Sequence, residues 1–124
     1  MRQTIKFQAP LIEPSEKTAY ITVTKTKVDH NGVILETNNI SFDKNLSHYL
    51  IIENPGERSF MIIKAGDVFP SSVLGDYKIE IATGTSVINM QDIKRFETTC
   101  EEIVIDLGEN FSGEMYAITN HSEE

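Results

Sequence analysis

Residues 48–64 read HYLIIENPGERSFMIIK and contain two short apolar runs on either side of a turn. The runs YLII and FMII are rich in β-branched and aromatic residues, which favours strands over helices. Neither run alternates apolar with polar residues, a pattern typical of strands covered on both faces. Pro55 and Gly56 predict a type II turn, because proline sets φ at its first central position and glycine supplies φ > 0 at its second. We therefore predict a central hairpin that carries the core, with a wider loop as the alternative because type II turns match hairpin twist less well.

Length and composition predict one soluble domain. The chain has 124 residues, of which 40% are hydrophobic and 24% are charged, and this length allows a real core. The formal net charge of −8 disfavours a nucleic-acid partner, since phosphates need a basic surface. No apolar run approaches the ~20 residues of a membrane span, and the N-terminus lacks the apolar segment of a signal peptide. Cys100 is the single cysteine, so we predict no internal disulfide and synthesis in a reducing cytosol.

Turn residues divide the rest of the chain into further short strands. Residues 18–38 predict a second hairpin around the turn Asp29-His30-Asn31-Gly32, since Asn-Gly is the strongest short hairpin signal. Residues 77–81 alternate cleanly between apolar and polar, and about eight or nine strands result in total. We therefore predict an all-β domain, either a two-sheet antiparallel β-sandwich of the jelly-roll or immunoglobulin-like kind, or a barrel.

The first 17 residues are set apart by Pro10 and Pro14. Residues 4–8 alternate and could form an edge strand, but the prolines deny regular pairing to the segment that follows. An extended, poorly paired arm can dock on another subunit, and the alternative is that it packs along its own domain. The predicted partner-binding residues are Phe7, Leu11 and Ile12. The predicted division is residues 1–17 as an N-terminal arm or edge strand, 18–120 as the β-sandwich domain and 121–124 as a disordered tail.

The residues that could act in catalysis or bind a metal do not follow the spacing of a catalytic, cofactor-binding or metal-binding site, and we predict no such site. The histidines, at positions 30, 48 and 121, lack the spacing of metal ligands. A nucleophile–base pair would need Cys100 or a serine beside His48, and nothing positions an orienting third group. We expect Cys100 to be a small structural side chain. A stacking platform for a sugar would need two or three exposed tyrosines on one face, whereas we expect partly buried sheet tyrosines. The tyrosines are Tyr20, Tyr49, Tyr77 and Tyr116.

Four short motifs follow one another within residues 48–118. They are Lys64-Ala65-Gly66-Asp67, Gly75-Asp76, Arg95-Phe96 and Ser112-Gly113. This order resembles that of small tailed-phage virion proteins, in which a lysine-alanine-glycine turn is followed by a glycine-aspartate strand and an arginine-phenylalanine pair. The closing strand of those proteins begins with threonine-glycine or serine-glycine.

The resemblance implies a non-enzymatic head decoration or auxiliary capsid protein that binds the phage major capsid protein. It implies a place in the virion after synthesis in the bacterial cytoplasm, homo-oligomers that suit a capsid lattice, and no nucleic-acid or membrane partner. A carbohydrate- or cell-surface-binding β-module of a tail or fibre is the alternative, which exposed tyrosines beside Asp and Asn would favour. A small enzyme is the third hypothesis, which would need a deep pocket with His48 beside Cys100 or an acid.

Overall fold

The computed structural model describes residues 2–8, 23–38, 46–67, 71–90 and 93–121. Within these ranges nine strands form one mixed sheet that curls almost into a barrel. The prediction of an all-β domain is therefore confirmed. The strands are β1 (Gln3–Gln8), β2 (Thr26–Asp29), β3 (Val33–Glu36), β4 (Leu46–Asn54), β5 (Ser59–Ile63), β6 (Tyr77–Ile81), β7 (Gly84–Asn89), β8 (Glu102–Leu107) and β9 (Ser112–His121).

Two single-turn helices interrupt the strands. The first, α1 (Ser71–Leu74), lies before β6, and the second, α2 (Ile93–Phe96), lies before β8. Neither these nor any other helix in the described ranges has the length and apolar character needed to cross a membrane.

The sheet consists of two walls joined by β1. Its strand order is β6-β5-β8-β3-β1-β9-β4-β7, with β2 also paired to β9. We call β6, β5, β8 and β3 the first wall, and β2, β9, β4 and β7 the second wall. The first part of β1 pairs with β3 and its last two residues pair with β9, in parallel in both cases. The prediction of a wholly antiparallel arrangement is therefore wrong at β1, and a division into two separate sheets stays a prediction.

The turn at residues 54–58 crosses between the walls instead of closing a hairpin. Both apolar runs form strands as predicted, but β4 pairs with β7 and β9 whereas β5 pairs with β6 and β8. The predicted central hairpin is therefore wrong. Gly56 does not have a positive φ, so the predicted type II turn is wrong as well. Instead, the Asn54 side chain organises the turn by donating to the Glu57 carbonyl at 2.8 Å and accepting from the Gly56 N–H at 3.1 Å.

The predicted hairpin around Asn31-Gly32 is also wrong, because the strands on either side of this turn pair with other strands and not with each other. β2 pairs with β9, whereas β3 pairs with β1 and β8. The turn itself forms, because the Gly32 N–H donates to the Asp29 carbonyl at 3.0 Å. A type I′ hairpin turn needs φ > 0 at both central residues and a type II′ turn needs it at the first. In this turn only Gly32, which follows the central residues, has a positive φ (88°). Residues 18–22 of the predicted hairpin lie outside the described ranges.

The hydrophobic core fills the space between the two walls. In β5 burial alternates, with Met61 and Ile63 inside. In β4 three consecutive residues, Leu50, Ile51 and Ile52, are buried, as expected for a strand covered on both faces. Ile51 lies outside the main core cluster and pairs in register with Val87 and Tyr116 on the outer face of the second wall.

The segment Gln3–Gln8 lies in the middle of the sheet. Ile5 is 3% exposed and Phe7 is 6% exposed, and both belong to the core. The Phe7 ring also contacts the His48 ring edge to face, with 5.3 Å between the ring centroids. The assignment of this segment to an arm or edge strand is therefore wrong, and Phe7 is a core residue instead of an exposed docking residue. The physical reason is its parallel pairing with two distant strands, which local proline and turn patterns do not reveal.

Two further assignments concern the ends of the chain. Leu11 and Ile12 lie outside the described residues. His121, which we assigned to the tail, is the last residue of β9, and residues 122–124 lie outside the described ranges.

We expect Ile63→Asp to unfold the domain and Ile62→Asp to leave it folded. Ile63 is 1% exposed, and an unpaired buried carboxylate costs more than ~4 kcal/mol, out of a typical stability of ~5–15 kcal/mol. Ile62 is half-buried on the opposite face of β5, where Lys78 is its cross-strand partner. Thermal melts followed by circular dichroism test both variants. A normal melt of Ile63→Asp would show that the core lies elsewhere.

We expect Phe7→Ala to lower the free energy of unfolding by about 3–5 kcal/mol, because it leaves a cavity in the core. Thr4→Ala is the control, since Thr4 is exposed on the same strand and should change stability by no more than about 0.5 kcal/mol. Urea denaturation measures both. Equal midpoints for the two variants would contradict the central position of β1.

Candidate functional site

The sheet is open between β6 and β7, the edge strands at the two ends of its main strand order. These strands follow each other along the chain and are joined by Ala82 and Thr83. In the part of the chain that the structure describes, β6 pairs only with β5 and β7 pairs only with β4. The turn holds Ile81 of β6 close to Gly84 of β7. Among the described residues, no strand pairing joins the other ends of these two strands, at Tyr77 and Asn89. The opening therefore lies toward Tyr77 and the C-terminal end of β7.

A cleft of about 240 Å³ lies in this opening. It is smaller than the ~300–1,000 Å³ typical of sites for drug-sized ligands, so it suits one or two side chains or a small molecule. Most of its lining is apolar, and Arg95 is the only charged member among the described lining residues. The lining residues are Ile63, Tyr77, Ile88, Asn89, Met90, Arg95 and Phe96.

Four exposed apolar side chains lie on α1 and on the two strands beside the opening. Val73 and Leu74 of α1 are 71% and 59% exposed, and α1 contacts α2, which contributes Phe96 to the cleft. Tyr77 and Val87, one on each edge strand, are 51% and 63% exposed. We call Val73, Leu74, Tyr77 and Val87 the open-edge patch. Groups of exposed apolar residues mark interaction surfaces more often than single ones do.

Three of the four motifs of the phage resemblance, at residues 64–67, 75–76 and 95–96, meet at one side of the cleft. The Lys64 ammonium lies 2.9 Å from the Asp76 carboxylate, which also accepts the Ala65 N–H at 2.8 Å. The Gly66 N–H donates to the Arg95 carbonyl at 2.9 Å. The lysine-alanine-glycine segment therefore connects the start of β6 to α2.

Gly66 and Asp67 complete this connection. A Cβ on Gly66 would lie 2.5 Å from the Glu97 carbonyl oxygen, so this close approach requires glycine. The Asp67 carboxylate accepts the Thr99 N–H at 3.0 Å and the Thr99 hydroxyl at 3.1 Å. These contacts hold the chain at Arg95 and just after Phe96, and so they support the wall of the cleft.

Ion pairing continues across the surface beside this connection. The hydrogen bond from the Ala65 N–H, followed by the Lys64 ammonium, lowers the pKa of the Asp76 carboxyl below its ordinary value. Asp76 in turn raises the pKa of Lys64. Lys64 lies 4.0 Å from Asp106, which pairs with Arg2. This exposed network ties the loop after β5 to β8 and to the N-terminal segment.

Two contacts hold the Arg95 side chain in place, but they do not satisfy all of its hydrogen-bond donors. Its guanidinium carbon lies 4.8 Å from the centre of the Phe96 ring, a cation–π contact. Its Nη2 donates to the Gly75 carbonyl over 3.4 Å. Its Nε is buried and has no hydrogen-bond partner among the residues that the structure describes. The sequence pointed to Arg95 only as part of a motif, and no sequence pattern reports an unsatisfied nitrogen.

The two residues that an enzyme hypothesis would need lie in different surroundings. His48 is 7% exposed, and its Nδ1 lies 3.0 Å from the Thr119 hydroxyl. Cys100 is exposed in the turn before β8, so it lies near the start of a strand but is not a buried side chain. Neither residue lines the cleft between the edge strands. Within the described ranges, no group of three or more His, Cys, Asp and Glu side chains could hold a metal ion.

The described tyrosines are divided between the two walls. Tyr49 and Tyr116 are half-buried on the outer face of the second wall. Their register partners are Ile118 and Ile51 respectively, which makes the two tyrosines diagonal neighbours. Tyr77 lies on the first wall at the cleft. Tyr20 lies outside the described residues.

Comparison of the chain with known protein families, with curated proteins and with solved structures finds no match in any of the three. The features of the molecule that bear on its function are therefore the cleft, the open-edge patch and the motifs that support the cleft.

We expect Asp76→Asn to melt at a lower temperature than the wild type at pH 7, with a difference that shrinks below about pH 4. A carboxylate whose pKa is lower in the folded state stabilises the fold above its ordinary pKa, which is 3.8. That stabilisation is lost as the pH falls through the folded-state pKa. Thermal melts between pH 2 and pH 7 measure this. Glu109→Gln is the control, an exposed acid in the turn before β9, and a pH-independent deficit of Asp76→Asn would contradict the ionic role.

Proposed function

We propose that this protein is a non-enzymatic structural protein of a tailed-phage virion, which decorates the head by binding the major capsid protein. The order of the four motifs supports this proposal, because it resembles that of small virion proteins. The contacts among the motifs add a physical reason for their presence: Lys64, Gly66 and Asp76 support the side of the cleft that contains Arg95.

The observation that carries a binding role is the open-edge patch. Its four side chains are each more than half exposed, and one of them, Tyr77, lines the apolar cleft. Covering a large apolar side chain is worth up to about 1.5–3 kcal/mol, so a partner that covers several of them gains substantial affinity. A formal net charge of −8 favours solubility of the free protein despite this exposed apolar surface. We propose that the capsid surface covers this patch in the assembled head.

We also propose that the architecture is a two-sheet sandwich of the jelly-roll kind in which β1 belongs to both sheets. The turns after β2, β4, β6 and β8 each cross from one wall to the other, which supports this description.

A carbohydrate- or cell-surface-binding module is the second candidate. The diagonal pair Tyr49 and Tyr116, with Asn89 in register beside Tyr49, supports it. Both tyrosines are half-buried, which leaves less ring surface for stacking on a sugar. Binding of the wild type to glycans on an array, with loss in Tyr116→Ala, would favour this candidate.

Co-sedimentation with undecorated heads of the phage that encodes the chain tests the proposed function. We expect the wild type to sediment with the heads and the double variant Val73→Ser, Leu74→Ser to bind at least ten-fold more weakly, because it removes two of the four apolar side chains of the open-edge patch.

Ile34→Ser is the matched control for that experiment. Ile34 is half-buried on the opposite, outer face of β3, so its loss removes apolar surface away from the patch. Circular dichroism checks that all variants are folded. Absence of wild-type binding would overturn the decoration role, and full binding of the double variant would overturn the docking surface.

A further inference from the structure

The edge strand β7 lacks the features that protect free sheet edges. It reads GTSVIN over Gly84–Asn89 and contains neither a charged residue nor a proline. Natural proteins usually protect exposed edges with charges, prolines or bulges, because the unpaired N–H and C=O groups invite another strand. The facing edge strand, β6, carries Lys78 and Glu80. Because β6 carries charged side chains and β7 carries none, β7 is the edge of this opening that can accept a further strand.

A strand added to β7 would lie over the cleft. Ile88 faces the cleft, whereas its neighbour Val87 is 63% exposed on the outer face. Side chains of an added strand alternate in the same way, so every second one would point into the cleft. There it would meet Met90, Phe96 and the guanidinium of Arg95.

The surroundings of Arg95 indicate which charge the side chains of an added strand would carry at the cleft. Its buried Nε has no hydrogen-bond partner within the described ranges, and leaving a buried donor unsatisfied is costly. Stacking on the Phe96 ring, with a 4.8 Å separation, limits the orientations of the guanidinium. A guanidinium held in this way pairs with a carboxylate through two parallel hydrogen bonds. The complementary ligand group is therefore a carboxylate next to apolar side chains.

We propose that an extended segment of a partner protein adds to the free edge of β7, places an apolar side chain in the cleft and pairs a carboxylate with Arg95. The apolar and acidic residues of that segment are two positions apart, because residues i and i+2 of a strand face the same side. This inference rests on the proposed function insofar as the partner is a protein, and its test does not require the capsid.

A second copy of the chain fits this site less well. Its β7 could pair with the first β7, but the segment GTSVIN offers no carboxylate to Arg95. Two chains with a formal net charge of −8 each also repel one another. The partner segment is therefore expected to come from a different protein.

Titration with two blocked peptides tests the inference. The probe is acetyl-Thr-Val-Thr-Leu-Thr-Glu-amide, and its matched control has Gln in place of Glu. We follow the backbone amide signals of the ¹⁵N-labelled protein by NMR. We expect shifts concentrated at Val87, Ile88 and Asn89, and binding of the Glu peptide at least five-fold tighter than that of the Gln peptide. Equal affinities, or shifts confined to other strands, would overturn the proposal.

Two variants separate binding from folding. Arg95→Met keeps an unbranched apolar stem over Phe96 and removes the unsatisfied Nε. We expect it to melt no lower than the wild type while it loses the preference for Glu over Gln. Arg58→Gln removes the same charge at the other end of β6, where Arg58 lies 3.6 Å from Glu80, and should leave the preference unchanged. Retained preference in Arg95→Met would overturn the role of Arg95.

Two further measurements identify the occupant. Sodium octanoate offers the same carboxylate and apolar chemistry without a backbone, so we expect it to bind at least ten-fold more weakly than the Glu peptide. Equal binding would show that a free fatty acid is the occupant, and would overturn strand addition. Analytical ultracentrifugation tests whether a second copy of the chain is the occupant. A dimer that Val87→Lys abolishes and the control Thr4→Lys does not would show this, and would overturn the proposal of a different partner protein.

Discussion

Parallel pairing of β1 with both β3 and β9 is the constraint on which the rest of the barrel depends. These two neighbours belong to different walls, so β1 is the only strand that the described pairings place in both. Its ends are fixed by hydrogen bonds that leave little freedom of register. At the start, the Gln3 N–H donates to the Gly32 carbonyl at 3.2 Å. At the end, the Gln8 side chain exchanges two hydrogen bonds with the backbone of Thr24, at 2.8 and 3.0 Å.

Closure at β1 leaves the opening on the opposite side, between β6 and β7. The barrel could close there only if these two strands paired, and the turn at Ala82 and Thr83 sends them to different walls instead. The polar connection from Lys64 to Asp67 then fixes one side of the opening by binding Asp76, α2 and Thr99. An apolar cleft with one incompletely satisfied guanidinium is the result. A site that folds in this form is prepared for a ligand before the ligand arrives, which lowers the entropic cost of binding.

Local sequence patterns predicted the strands more accurately than the contacts between them. The runs at residues 49–52 and 60–63 are strands, and the unbroken burial of Leu50, Ile51 and Ile52 follows from their lack of alternation. The turn at Gly32 was also placed correctly. The pairing was wrong because a turn signal reports a change of direction, and it does not report which strand becomes the neighbour. Among the described strands, only β5 and β6 are neighbours both along the chain and in the sheet.

The candidate site shows the same difference between what local sequence predicts and what long-range contacts decide. Lys64-Ala65-Gly66-Asp67, Gly75-Asp76 and Arg95-Phe96 are visible as separate motifs, and the sequence by itself determined their residue types and the apolar character of the strands between them. Only the tertiary structure decided that they meet, that Phe7 belongs to the core, and that β7 is a free edge beside Arg95. The physical reason is that secondary structure depends on neighbours within a few residues, whereas sheet order depends on packing between residues up to about a hundred positions apart, such as Arg2 and Asp106.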